Sequence, residues 1–470
     1  MREPATRILL DGWREPERVV LALGATGDVV WFDAGVEADG AGATPREGHP
    51  GRSLVGWGSE RLTASVRDAR GIAPALDRLR RETTEASGVQ EPLGWWGVLG
   101  YGAAAELLQP GDGAWADALG DPRHPDLAFL RVDRALVFDH DRGTVEAVTS
   151  GTQEAWLDVV REYWTRDPVT AAEPSPLPPP RREATWADGD GAYLALVDRC
   201  REAIRAGEAS VFCLTTSVSV GPVAETDLEV YRRLRRSSPA PRASFVRIGR
   251  VSLLGASPET FLTVDGDGIV TSAPIKGTRP RGADPASDER LREGLRTSEK
   301  ERAENLMIVD LMRNDLSRIS VAGSVGVSEL FAVRGYEHVH QLVSTVTSRL
   351  RPGASGVDAV VATFPPGSMT GAPKHRAVRL LSDWEAGARG LYSGAVGRLG
   401  FDGTVDLAVV IRSIVLDAET RRATVGVGGG ITSASVPADE LAEVRTKARA
   451  LLAVLGVGDP GSSSPSPGSR

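Results

Sequence analysis

Gly268-Ile269-Val270-Thr271-Ser272-Ala273, followed at once by Pro274-Ile275-Lys276-Gly277-Thr278-Arg279-Pro280-Arg281, is the stretch on which fold and chemistry both turn. Gly268–Ala273 reads as a β-strand, and Ser252–Val264 just before it as another, with no helix between them. Strands in adjacent runs, rather than strict strand–helix alternation, favour antiparallel sheets with helices packed outside, an α+β architecture. The second half of the stretch sets one lysine in a tight, glycine-flanked turn, two residues before a hydroxyl and three before a guanidinium. A lysine fixed and poorly hydrated in this way can be lowered in pKa and used as a nucleophile. Alone, it would pass for a positively charged surface turn. Other sites, well separated along the chain, fit the same chemistry.

Working outward, the 211–220 run (Val211 to Val220) reads as a buried strand, and Tyr193 to Ala206 as an amphipathic helix before it. Downstream, one long helix is expected from Asp288 to Leu316, a second from Glu337 to Leu350 and a third from Ala372 to Ala386. Strands are expected at Gly390–Leu399, Leu407–Leu416 and Arg422–Val427, then a helix at Ala438–Leu455. Residues 1–165 alternate β-rich runs (Val19–Leu23, Ala135–Phe138) with helical stretches at Ile72–Glu85 and Gln153–Arg166. Prolines crowd residues 166–185, which marks a linker before a catalytic domain at 186–456, and a Ser/Pro/Gly-rich tail at 457–470 is expected to be disordered.

Composition narrows the class. The 470 residues carry 41% apolar and 25% charged side chains, ordinary for a globular protein, and a net charge of −8 that disfavours a nucleic-acid partner. No run approaches the roughly 18 apolar residues of a membrane span, and Met1-Arg2-Glu3-Pro4 has no signal-peptide core. Two cysteines, Cys200 and Cys213, are too few for a disulfide framework, so a reducing, cytoplasmic setting is expected. Six histidines without paired spacing argue against zinc.

Two pairs of carboxylates stand out. Glu301 and Glu304 lie three apart on one expected helix, and Glu440 and Glu443 repeat the spacing on the last. Each pair shares a helix face, and two such faces meeting would make an oxygen-only site suited to Mg²⁺, although one such pair alone is usually a solvated surface. Pro366-Gly367-Ser368-Met369-Thr370-Gly371-Ala372-Pro373-Lys374 and Gly426-Val427-Gly428-Gly429-Gly430-Ile431 let bare backbone approach a ligand. Neither is a nucleotide-binding signature. Arg412, inside the apolar run Val409-Val410-Ile411-Arg412, needs a partner, and a substrate carboxylate would satisfy it. Glu259 could serve as a general acid, whereas a lone histidine such as His340, expected near a helix start, is more often structural.

Together these segments resemble the chorismate-utilising enzymes. The resemblance runs from about Trp186 to Leu455 and is weaker before it; it is carried by SPE at 257–259, PIKGTRPRG at 274–282 and ERAENLMIVDLMRNDL at 301–316. VHQLVS at 339–344, FPPGSMTGAPK at 364–374, YSGAVG at 392–397, IRS around Arg412, GVGGGI at 426–431 and ELAEV at 440–444 complete it. Lysine in the PIKGT position resembles the aminodeoxychorismate synthase component I branch, because anthranilate synthases usually carry alanine there. The resemblance implies a large four-layer body of antiparallel sheets wrapped by helices. It implies that Glu304 and Glu443 ligate Mg²⁺, with Glu301 and Glu440 completing the shell directly or through water. Thr278, Gly428 and Gly429 would bind the ring carboxylate of chorismate, Arg412 and Tyr392 the enolpyruvyl carboxylate, and Lys447 would join the substrate contacts. Gly371 and Ala372 would shape the ring pocket, and His340 would lie beside the ring or the departing hydroxyl.

The same resemblance implies a reaction. Lys276 attacks C2 of chorismate as the C4 hydroxyl leaves, Glu259 protonates that hydroxyl, and ammonia then attacks C4 and expels the lysine. Neither cysteine stands in a glutaminase elbow, so ammonia would come from solution or from a separate glutamine amidotransferase subunit. Two departures accompany this. Val211 stands where many relatives have Gln or Glu, and Leu9-Leu10-Asp11-Gly12 only partly matches the motif of tryptophan-inhibited relatives, so tryptophan control is not expected. The rival readings are an anthranilate, 2-amino-2-deoxyisochorismate, isochorismate or salicylate synthase, or a scaffold that only activates a glutaminase. A scaffold has no use for a complete metal shell.

Overall fold

In the strand Val29–Asp33 the side chains alternate between two cores: Val30 and Phe32 enter one, Val29 and Trp31 the other. A strand buried on both faces belongs inside a layered body, and that is what the computed structural model shows. It describes residues 5–24, 26–34, 51–84, 91–109, 111, 113–166, 182–336 and 339–458. Among these, two antiparallel sheets of twelve and ten strands lie face to face. Phe32 of the first meets Trp96 of the second, with ring centroids 5.3 Å apart. Helices Asp190–Arg205, Asp227–Ser237 and Pro437–Val454 pack on the first sheet, and Ala73–Thr84, Glu299–Ser317 and Gly356–Thr363 with the second. The fold is therefore the expected α+β arrangement of helices, sheet, sheet and helices.

Both sheets mix strands from the two ends of the chain. Val29–Asp33 pairs with Arg242–Ile248 in the first, and Gly94–Leu99 pairs with Ala395–Gly400 in the second. Most of the expected 166–185 linker and 457–470 tail lies outside the described residues. Among the described residues, no helix is long and apolar enough to cross a membrane.

Several expected elements change. The Val19–Leu23 run belongs to a helix, Pro16–Leu23, where Pro16 occupies the first turn and Pro16, Val19 and Val20 share the buried face. The expected helix 288–316 is two, Pro285–Arg296 and Glu299–Ser317, because the Ser298 hydroxyl accepts from the Glu301 amide and starts a new helix. The expected helix 337–350 is a strand, Val339–Arg349, in keeping with its β-branched Val339, Val343, Thr345, Val346 and Thr347.

Two expected strands each break in the middle, and the breaks matter most. Ser252–Val264 divides at Pro258 into Val251–Ser257 of the first sheet and Thr260–Val264 of the second. Leu407–Leu416 divides into Val405–Val409 of the second and Ser413–Asp417 of the first. The two crossings run side by side. The Val409 amide donates to the Glu259 carbonyl at 3.0 Å, and the Ala256 amide donates to the Arg412 carbonyl at 3.0 Å.

A buried ion pair, Arg242 with Asp406, also ties one sheet to the other. Losing one partner strands a charge in the interior, which costs about 3–5 kcal/mol, whereas apolar replacement of both costs far less. Asp406→Ala should accordingly lower the urea-unfolding free energy by about that amount, and the double change Arg242→Met with Asp406→Leu should recover most of it. Equal losses in the single and double variants would show that the pair does not bear on stability.

Candidate active site

The paired crossings carry Glu259 and Arg412 into a cavity of about 470 Å³. Arg412 adopts φ +51°, a left-handed conformation that is unfavourable for a residue with a side chain, so the crossing imposes it. The strand Ile275–Pro280 adds Lys276 and Thr278. Its register against Val339–Arg349 slips between Ile275 and Thr278, with Gly277 at φ +81° in the slip, so Lys276 sits on a bulged strand rather than in a free turn. Opposite, Gly428, Gly429 and Gly430 of the strand Arg422–Ile431 leave backbone bare; a Cβ on Gly430 would come within 3.2 Å of Lys276 Nζ. Tyr392 covers one wall, with its ring against Gly426.

The two acidic helices close the cavity. Glu301 and Glu304 come from the first turns of Glu299–Ser317, and Glu440, Glu443 and Lys447 from Pro437–Val454. Lys447 donates to Glu443 at 2.7 Å and to the Gly428 carbonyl at 2.9 Å. Arg279 reaches Glu301 at 3.4 Å. Arg412 makes no side-chain hydrogen bond or ion pair among the described residues, and an uncompensated guanidinium in a recess asks for an anion. Lysine, acid, free guanidinium, bare glycines and paired glutamates thus converge from segments nearly 200 residues apart.

A model of the chorismate binding enzymes matches residues 43–453. The chain belongs to that family. It is 46% identical over 387 residues to an aminodeoxychorismate synthase of Streptomyces griseus, covering 79% of this chain and 51% of that protein. It is 39% identical to the anthranilate synthase component 1 of Arthrobacter globiformis, over 71% of this chain and 66% of that one. The chain spans about half the length of the aminodeoxychorismate synthases it matches. Among solved structures, anthranilate synthase component I from Streptococcus pneumoniae superposes with a TM-score of 0.73 at 28% identity, covering 95% of this chain and 99% of that one. A menaquinone-specific isochorismate synthase of Escherichia coli shares the fold at a TM-score of 0.70 and 17% identity, over 97% of this chain and 95% of that one.

Within this chorismate binding enzyme three expected site residues are placed elsewhere. His340 is buried on the strand Val339–Arg349, its Nε2 2.9 Å from Asp288, and it does not line the cavity. Alternation along the strand turns the next residue, Gln341, into the cavity opposite Thr278 instead. Gly371 and Ala372 form a two-residue strand against Val211 and Phe212, away from the cavity wall. Ser368 and Met369, a few residues earlier, line it in their place. Val211 is also absent from the wall, where Cys213 of the same strand stands. Lys300, Arg279 and Gln341 also line the cavity although the sequence marks none of them as a site residue; VHQLVS has no apolar alternation that would single out Gln341.

The electrostatics separate the roles. Burial lifts the Glu259 carboxyl to about 7, against the opposing pull of Ser368 and Lys276. Burial also pushes the Cys213 thiol up, so that it stays neutral. Burial alone would lower the Lys276 ammonium, as the sequence suggested, but Glu304 leads a set of neighbours that raises it above the ordinary lysine value. Glu304 and Glu440 are raised by burial. Glu443 is lowered despite burial, chiefly by Lys447.

For Glu259 the sign follows directly. Folding favours its protonated form, so its contribution to stability is complete below the ordinary glutamate range and is lost as pH rises through about 7. Relative to Glu259→Gln, the wild type should therefore lose about 3 kcal/mol of unfolding free energy between pH 4.5 and 8. Parallel pH dependences in urea titrations of the two proteins would contradict a raised carboxyl.

Proposed function

We propose that this chain is an aminodeoxychorismate synthase component I: it converts chorismate and ammonia to 4-amino-4-deoxychorismate through a covalent adduct on Lys276. The observation that carries the reading is the position of Lys276, on one wall of a cavity it shares with the raised acid Glu259 and the unpaired Arg412. Aminodeoxychorismate synthases among its relatives agree with it.

Arg412 and Tyr392 would bind one substrate carboxylate, with Lys447, Thr278 and the Gly428 and Gly429 amides toward the other. Lys276 Nζ then forms a bond to C2, the ring double bonds shift, and the C4–oxygen bond breaks. Glu259 gives its proton to that oxygen, which leaves as water; a carboxyl near pH 7 is suited to this. Ammonia bonds to C4, the double bonds shift back, and the C2–Lys276 bond breaks. The lysine must be neutral to attack, so the glutamates that hold it protonated must themselves be compensated.

The donor set fits Mg²⁺. It consists of carboxylates alone, and Glu304 Oε1 is buried without a hydrogen-bond partner. Among the described residues no three acidic, histidine or cysteine side chains are gathered as a metal-holding group. Glu304 and Glu443 would hold the ion, with Glu301 and Glu440 supporting. When bound, it would offset their charge and fix a substrate carboxylate. His340 lies off the cavity wall and fastens the helix Pro285–Arg296 through Asp288. Ammonia would come from a separate glutamine amidotransferase, in the cytoplasm, with the product serving para-aminobenzoate and folate synthesis.

Purified protein supplied with chorismate, Mg²⁺ and ammonium should yield 4-amino-4-deoxychorismate by chromatography and mass spectrometry. Without ammonia, the peptide containing Lys276 should gain the mass of chorismate less one water. Lys276→Ala should lose C4 amination by orders of magnitude, with any residual amination moved to C2. An undiminished C4 product from that variant would remove Lys276 as nucleophile, and anthranilate from the wild type would move the chain to the rival branch.

Glu304→Gln or Glu443→Gln should nearly abolish turnover while leaving the fold intact by circular dichroism, since each removes a charged ligand from a hard-cation site. Full activity of the wild type in chelator would exclude that role.

A further inference from the structure

Arg279 and Lys447 each meet one glutamate of the site, at 3.4 and 2.7 Å, whereas Lys300 lies between two. From the first turn of Glu299–Ser317 its ammonium stands 4.0 Å from Glu304 Oε1 on its own helix and 4.0 Å from Glu440 Oε1 on Pro437–Val454. The carboxylates are buried, with side chains 10% and 4% exposed, whereas the Lys300 side chain is 58% exposed. Neither contact reaches hydrogen-bond length, so the attraction is electrostatic and easily broken. Glu304 Oε1, the atom facing Lys300, has no hydrogen bond.

We propose that Lys300 is a displaceable counter-ion: it balances Glu304 and Glu440 across the two helices while no divalent cation is bound, and turns to solvent when one takes the carboxylates. This rests on the reading that these glutamates hold such a cation. Two buried carboxylates from facing helices would repel one another if left uncompensated. A cation hydrogen-bonded into the site would exclude a metal. A long, hydrated lysine at 4.0 Å meets both demands, because it compensates the charge and leaves at little cost. Lys300 is thus a positioning residue and contributes nothing to the reacting atoms.

The test is a titration of the full chain with Mn²⁺, read by the electron paramagnetic resonance of the free ion, with Mg²⁺ competition to confirm a shared site. Lys300→Met should tighten Mn²⁺ about 3- to 10-fold, the effect of removing two weak competing ion pairs. Lys300→Arg, which keeps the charge, should stay within about twofold of wild type. Arg313→Met removes a positive charge from the same helix, where Arg313 pairs with Asp310 on the exposed side, and should also stay within about twofold. The rise in unfolding temperature on adding Mn²⁺ should be larger in Lys300→Met than in wild type, since the metal then replaces nothing. Unchanged or weaker binding by Lys300→Met, or equal tightening by Arg313→Met, overturns the counter-ion. Absence of saturable Mn²⁺ binding by the wild type overturns instead the metal reading beneath it.

Discussion

The structure depends on one pair of cross-bonded chain crossings. At Ser257–Thr260 and at Val409–Ser413 the backbone leaves one sheet and enters the other, and each crossing hydrogen-bonds to its neighbour. A backbone that changes sheets in the interior must satisfy its amides and carbonyls without a ladder, and reciprocal bonding does so. The same geometry forces the side chains at the crossing points into the space between layers. Glu259 and Arg412 therefore line the cavity because they occupy the gap, and the positive φ of Arg412 is imposed by the same crossing. The raised carboxyl of Glu259 has the same origin: the crossing buries it where its ionised form is poorly solvated.

Charge is the second constraint. Five carboxylates line the cavity, Glu259, Glu301, Glu304, Glu440 and Glu443, and five cations face them, Lys276, Arg279, Lys300, Arg412 and Lys447. Four of the cations lie near glutamates, and Arg412 alone has no acidic partner. A balanced wall of this kind gives a dianion little net attraction. Shifting the balance requires either protonation, which Glu259 supplies near neutrality, or a cation brought from outside. That is why the protonation of Lys276 and the compensation of the glutamates are one problem: the charges that raise Lys276 are the charges a divalent ion would offset.

Much of this was legible in the sequence, and the failures have physical causes. The glutamate spacing survived because i, i+3 geometry is a property of the helix itself, and both pairs do reach the cavity. Lys276 was found from glycine and proline around it, although as a bulge in a strand rather than a turn. The 339–349 segment, expected as a helix, is a strand buried on both faces by polar as well as apolar side chains, His340, Gln341 and Ser344 among them, so no apolar alternation marks it. The family resemblance, not the helix expectation, implied a site position for His340; on the strand it is Gln341 that faces the cavity, since the face of a strand residue follows from parity alone. The second crossing was hidden for a different reason: Val409-Val410-Ile411 continues the apolar pattern straight through the change of sheet.

Lys300 shows what sequence reading lacks in principle. It stands one residue before Glu301, in a run of mixed charge that is ordinary on any solvated helix. Its meaning comes from Glu440, 140 residues later, on a helix that reaches the same mouth by packing on the strand Arg422–Ile431. Within its own helix it forms a routine i, i+4 contact with Glu304, worth little by itself. Only the assembled layers put the second carboxylate at the same distance and make one ammonium answer to two helices. A charge that is unremarkable locally thus acquires a function from the closure of the fold. The exposed lysine then matters to the buried site because it is weakly held.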